Sequence, residues 1–195
     1  MGKYSQANLI NEELSLIGST NFLGKMLHKM NKSSMILLSI EVPLNSYLRA
    51  EIFCEDIQDL SEIPFDQKTL LMLLYEDFLY EAKINPDLKK IFQVLTRLEH
   101  ESGKAAVLER KTDSIFKLIH KEEHEELQPL HIRMRRKYAL RGEIILADME
   151  GSYPNHGFTI ERVLELLYMD FIDAFRKGDT TEAIQKIIKL LDVEE

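Results

Sequence analysis

The feature that most constrains this chain is its likeness to itself. Sliding the sequence by 92 residues places Lys25, His28 and Lys29 on Lys117, His120 and Lys121 (120 − 28 = 92). In the same register Leu38 and Ile40 fall on Leu130 and Ile132, and Asp56 falls on Asp148. The stretch Leu48-Arg49-Ala50-Glu51-Ile52 falls on Leu140-Arg141-Gly142-Glu143-Ile144. With one more residue of shift, Phe65 meets Phe158, and Leu71-Met72-Leu73-Leu74-Tyr75-Glu76-Asp77-Phe78 meets Leu164-Glu165-Leu166-Leu167-Tyr168-Met169-Asp170-Phe171. Amphipathic patterning requires apolar positions to recur, but it does not require Arg49 to recur as Arg141. The likeness therefore points to two copies of one supersecondary unit, module one over 1–102 and module two over 103–195.

Each module reads as α-β-β-α-α, which makes the fold class α+β. A helix is expected over 6–31 in the first copy. Its counterpart over 103–125 carries Val107, Leu108, Ile115, Leu118 and Ile119 as an apolar face. A strand follows at 36–42, closed by Pro43, and Asn45-Ser46 suggests a turn into a second strand. That second strand is expected over 47–55, with its counterpart over 138–147. Asp66 and Thr159 stand where a helix N-cap belongs. The helices they open are apolar nearly all round and so must be buried on several sides. Asn85-Pro86 and Gly178-Asp179 end them, and final helices are expected over 87–100 and 180–192. The linker near Glu101-Ser102-Gly103 is too short for loose tethering, so one compact unit with a pseudo-two-fold axis is expected.

Composition narrows the function classes. The chain has 195 residues with a formal net charge of −8, 45% hydrophobic and 30% charged. That hydrophobic share excludes a disordered chain. A single Cys excludes a disulfide framework or a Cys-built zinc site. No apolar run of about 18 residues is present, so no membrane partner is expected. The N-terminal residues lack a secretory pattern, which makes the cytoplasm the expected compartment. No G-x-G-x-x-G, P-loop or G-x-S-x-G occurs, and neither a cofactor nor a catalytic residue is assigned.

Four groups of residues still invite a functional reading. Cys54 matches Leu146 in the repeat and reads as a small buried hydrophobe. His120-Lys121-Glu122-Glu123-His124 fits H-x-x-E-H, with His131 as a third zinc ligand. Against a metal site, His124 matches Lys32 and the run of glutamates reads as a solvated face. Arg49 with Glu51, and Arg141 with Glu143, would share a face of a strand. Together with His28 and His120 they would mark a ligand site between the modules, or else simple ion pairing.

The fourth group is the most distinctive. Residues 127–142 carry Arg133, Arg135, Arg136, Lys137 and Arg141 and no acid, directly after Glu122, Glu123, Glu125 and Glu126. On a hairpin strand Arg133, Arg135 and Lys137 would line one face. Module one has Glu41, Pro43 and Asn45 at those positions, so the module fold does not demand the stripe. A local reversal of sign in an acidic chain suggests a face for an acidic protein partner. The first expectation is therefore a non-enzymatic regulatory or adaptor protein, with homodimerisation through spare apolar surface. Nucleic acid binding by the hairpin is the second, though the chain's acidity is far from the usual basic footprint. A ligand or substrate site at the intermodule cleft is the third.

Overall fold

The computed structural model of the chain describes residues 3–15, 33–102, 126–178, 184–185 and 187–188, together with the backbone of 16–18, 106–112 and 115–120. Helices and antiparallel strands are mixed, as the α+β reading expects. In chain order the elements are α1 (Leu9–Gly18), β1 (Met35–Pro43), α2 (Leu44–Ser61), α3 (Gln67–Ile84), α4 (Leu88–Ser102), β2 (Ala106–Thr112), β3 (Ile115–His120), β4 (Leu127–Arg135), α5 (Arg136–Glu150) and α6 (Ile160–Lys177).

The central sheet joins distant parts of the chain. β1 pairs antiparallel with β4, from Met35 opposite Arg135 to Pro43 opposite Leu127. Both strands alternate strictly. Leu38, Ile40 and Val42 of β1 and Leu130, Ile132 and Met134 of β4 are buried on the helix-covered face. Burying each such side chain stabilises the fold by about 1.5–3 kcal/mol before entropy is subtracted. Around this face stand α2, α3, α5 and α6, whose core includes Phe53, Tyr75, Leu146, Leu164 and Tyr168. Phe53 meets the edges of Phe171 and Phe175 at 5.0 and 5.1 Å. Ile187, beyond α6, is also buried.

The caps fall where the sequence puts them. Asp66 accepts from the Thr69 amide at 2.8 Å, and Thr159 accepts from the Arg162 amide at 3.2 Å. Gly178 ends α6 in the left-handed region at φ 82°, which a glycine adopts without steric cost. Asn85 follows the last residue of α3.

Three expectations are corrected. The second strand of each unit, over 47–55 and 138–147, is a helix in both cases, α2 and α5. The buried positions explain why: Ala50, Phe53, Cys54 and Ile57 recur at helical spacing, as do Ala139, Gly142, Glu143, Leu146 and Met149. The sheet consequently forms across the two halves of the sequence, and neither half has the hairpin expected of it. Finally, the helix over 103–125 is replaced by β2 and β3, paired antiparallel from Ala106 opposite His120. Val107, Ile115 and Ile119 are β-branched, residue types that favour strands. Of the first expected helix, 6–31, the part 9–18 is α1, and 19–32 lies outside the described residues.

Candidate functional site

The basic segment is divided by the strand-to-helix junction at Arg135–Arg136. Arg133 and Arg135 lie on the exposed face of β4, with His131 two residues before them. Across the ladder Leu37 faces Arg133 and Met35 faces Arg135. Leu37 is 63% exposed, so the outer face of this end of the ribbon is both basic and apolar. Lys137 is exposed in the first turn of α5, with its ammonium 4.9 Å from the Tyr138 ring centroid. Because β4 ends at Arg135, Lys137 does not continue the strand face as expected. Arg141 is exposed one turn further along the helix.

Arg136 behaves differently from its neighbours. Its guanidinium turns inward to Glu12 at 2.6 Å and Glu13 at 3.3 Å of α1, and the side chain is 12% exposed. It ties α1 to the start of α5 and is withdrawn from the basic surface. Beside it a groove of about 500 Å³ is lined by Glu13, Ser33, Ser34, Arg135, Lys137 and Leu140. The Arg136 amide donates to the Ser34 carbonyl at 2.8 Å, which fixes the groove floor.

The structure places the Arg49/Glu51 and Arg141/Glu143 pairs on helices, not on strands. On a helix, residues two apart point in nearly opposite directions. Arg49 and Arg141 are exposed, whereas Glu143 is fully buried and Glu51 is half-buried. Of the zinc candidates, His120 ends strand β3, and His124 lies outside the described residues, as does His28. His131 is exposed, and no metal-competent group of His, Cys, Asp or Glu occurs among the described residues.

The buried glutamates hold the N-terminal segment instead. Glu143 accepts from the Leu9 amide at 2.9 Å, the Ile10 amide at 2.7 Å and the Ser5 hydroxyl. Glu161 accepts from the Gln6 amide at 2.7 Å. Glu143 thus satisfies amides at the start of α1 that have no partner within the helix, and Glu161 holds the segment just ahead of it. Over them lies Tyr75, whose hydroxyl is pushed well above its ordinary pKa by burial first and by Glu143 and Glu161 second. On the other side Gln67 donates to Glu51 and accepts from the Tyr168 hydroxyl at 2.5 Å. Burial, then the charges of Glu51 and Asp66, raises the Cys54 thiol to about 12, as befits a buried small hydrophobe. The repeated Glu51 and Glu143 were legible as a pair in the sequence, but their task of holding backbone was not. Against protein-family models, curated proteins and solved structures alike, the chain finds no match.

Proposed function

We propose that this chain is a non-enzymatic cytoplasmic adaptor or regulatory protein that captures a protein partner with an acidic, partly apolar surface. The observation that carries the reading is the outer face of the β1–β4 ribbon. There Arg133 and Arg135 stand exposed beside Leu37 in a chain of net charge −8. Exposed arginine next to exposed apolar surface is the composition of protein interfaces, and a positive patch steers an acidic partner onto this face. Lys137 and Arg141 extend the same charge from the adjoining helix.

The test is fluorescence anisotropy of a labelled polyglutamate peptide that also carries leucines. Wild type is compared with R133E/R135E/K137E. The variant is expected to lose binding while its melting temperature stays within the small range typical of surface substitutions. Unchanged binding would overturn the site. Tight binding of a single-stranded oligonucleotide, with a steep salt slope and no peptide binding, would favour the nucleic-acid reading instead. Sedimentation of the free protein separates self-association through this face from partner capture.

The adaptor reading also treats the molecule as two copies of one strand–helix–helix unit related by a pseudo-two-fold axis. Support comes from the register: Ser39 faces His131, and 131 − 39 = 92. The backbone bonds at the ribbon ends follow the same rule. Leu44 N–H donates to Glu126 and Arg136 N–H donates to Ser34, with 136 − 44 = 92 and 126 − 34 = 92.

A further inference from the structure

A two-stranded ribbon leaves one edge of each strand unpaired, and here the two edges are treated differently. The bonds from Leu44 N–H to Glu126 and from Arg136 N–H to Ser34 bracket the ladder and make its even-numbered residues the hydrogen-bonded pairs. The odd-numbered residues therefore turn their amides and carbonyls outward, to the free edges.

The β1 edge is dressed by side chains. The Ser33 hydroxyl donates to the Met35 carbonyl at 2.6 Å and accepts from the Met35 amide at 3.2 Å. Gln6 donates to the Ser39 carbonyl at 3.3 Å, and Glu165 of α6 accepts from the Glu41 amide at 3.5 Å. The β4 edge has no such cover. The outward amides and carbonyls of His131 and Arg133 make no hydrogen bond among the described residues, and both residues are exposed. In the repeat Met72 stands where Glu165 does (165 − 72 = 93), and a methionine side chain has no strong acceptor for the Arg133 amide. Pro129, which lacks an N–H, ends the open stretch.

Side chains and backbone polar groups alternate in step along a strand. A third strand laid antiparallel on β4 would put the residues opposite His131 and Arg133 on the outer, basic face. The residues between them would lie on the face that carries Leu130, Ile132 and Met134. A segment that alternates acidic and apolar residues meets both demands. A second copy of β4 does not, because it would bring arginine to arginine.

We infer that the partner of this chain binds as an extended segment of alternating acidic and apolar residues, which adds to the free edge of β4 as an antiparallel third strand. The inference rests on the partner-capture reading above and specifies how the capture is made.

The test titrates the full chain with fluorescent peptides of alternating glutamate and leucine in three forms: unmodified, N-methylated at the glutamates, and N-methylated at the leucines. In the antiparallel arrangement the glutamate amides point at β4 and the leucine amides point away. Methylating the glutamates is expected to weaken binding more than about tenfold, since more than one net hydrogen bond is lost. Methylating the leucines should leave binding intact. The His131 and Arg133 amides should exchange freely with solvent in the unbound protein and become protected in the complex. His131→Pro should weaken binding further than His131→Ala, because only the proline removes the edge donor, and an edge strand tolerates it. Binding that survives glutamate methylation, or that leaves the two amides unprotected, overturns strand addition while keeping side-chain capture by Arg133 and Arg135. Failure of the unmodified peptide to bind overturns both readings. Protection of the same amides in the protein alone, with a dimer in sedimentation, would give the edge to a second copy and overturn the inference.

Discussion

α2 and α5 carry the same five-residue stretch, Leu-Arg-x-Glu-Ile, and put it to different uses. In α5 Glu143 is fully buried and grips the start of α1, so it fastens a separate segment onto the core. In α2 Glu51 is half-buried and bonded to Gln67, a residue on the next helix. The neighbour makes the difference. Gln67 stands where the repeat places Ile160 on the other side (160 − 67 = 93). An amide there satisfies the glutamate locally, whereas an isoleucine leaves it free to reach across to α1. Residues that match in sequence can therefore acquire different tasks through a single substitution one helix away.

The largest expected effect breaks the latch. Glu143→Ala should lower unfolding stability by about 3 kcal/mol, because the Leu9 and Ile10 amides and the Ser5 hydroxyl lose their buried acceptor. Glu51→Ala should cost about 1 kcal/mol, since solvent can replace the lost bond. Urea denaturation of both variants reads the contrast, and equal losses would erase it.

Next comes the packing beneath the tyrosines. A Cβ added at Gly142 would collide with the Tyr75 hydroxyl, while α2 has Ala50 at the matching position. Gly142→Ala should destabilise by about 2 kcal/mol through overpacking. Adding Tyr75→Phe should recover most of that loss, because the better helix former then fits. A double variant no more stable than the single one would place the clash elsewhere.

Gln67→Ile tests the substitution itself. It copies the other side and leaves the buried Tyr168 hydroxyl unpaired, with an expected cost of about 1–2 kcal/mol by the same denaturation.

The last effect is electrostatic and is confined to alkaline pH. Cys54 is raised from 9.0 to about 12 in the fold. Between those values the unfolded chain releases a proton that the native chain retains. This stability contribution is therefore whole below pH 9.0 and is lost as pH climbs towards about 12. A thiol reagent at neutral pH should label Cys54 only after denaturation, and rapid native labelling would contradict its burial.

Much of the frame was legible in the sequence for identifiable reasons. Pro43, Asp66, Thr159 and Gly178 act through their own backbone or side-chain geometry, so they mark boundaries locally. The strand at 36–42 declared itself by β-branched and aliphatic density. Residues 47–55 were misread because Tyr47, Ile52 and Phe53 suit strands, while the helical spacing of Ala50, Phe53, Cys54 and Ile57 decides the matter only once a core exists to bury them. The division of the basic stripe was hidden for a related reason. Whether Arg136 faces solvent or Glu12 depends on where α1 docks, and no local pattern near residue 136 encodes that.

The ribbon at the centre carries a consequence for synthesis. β1 is finished at Pro43, but its partner strand is complete only at Arg135. On a ribosome adding about 5–20 residues per second, a strand of aliphatic side chains must wait several seconds with its hydrogen-bonding edge open. Such an edge is a template for the wrong partner. A nascent chain of this design benefits from shelter until its second half emerges. A fragment ending near residue 102 would keep that exposure permanently and would aggregate rather than fold as a smaller domain.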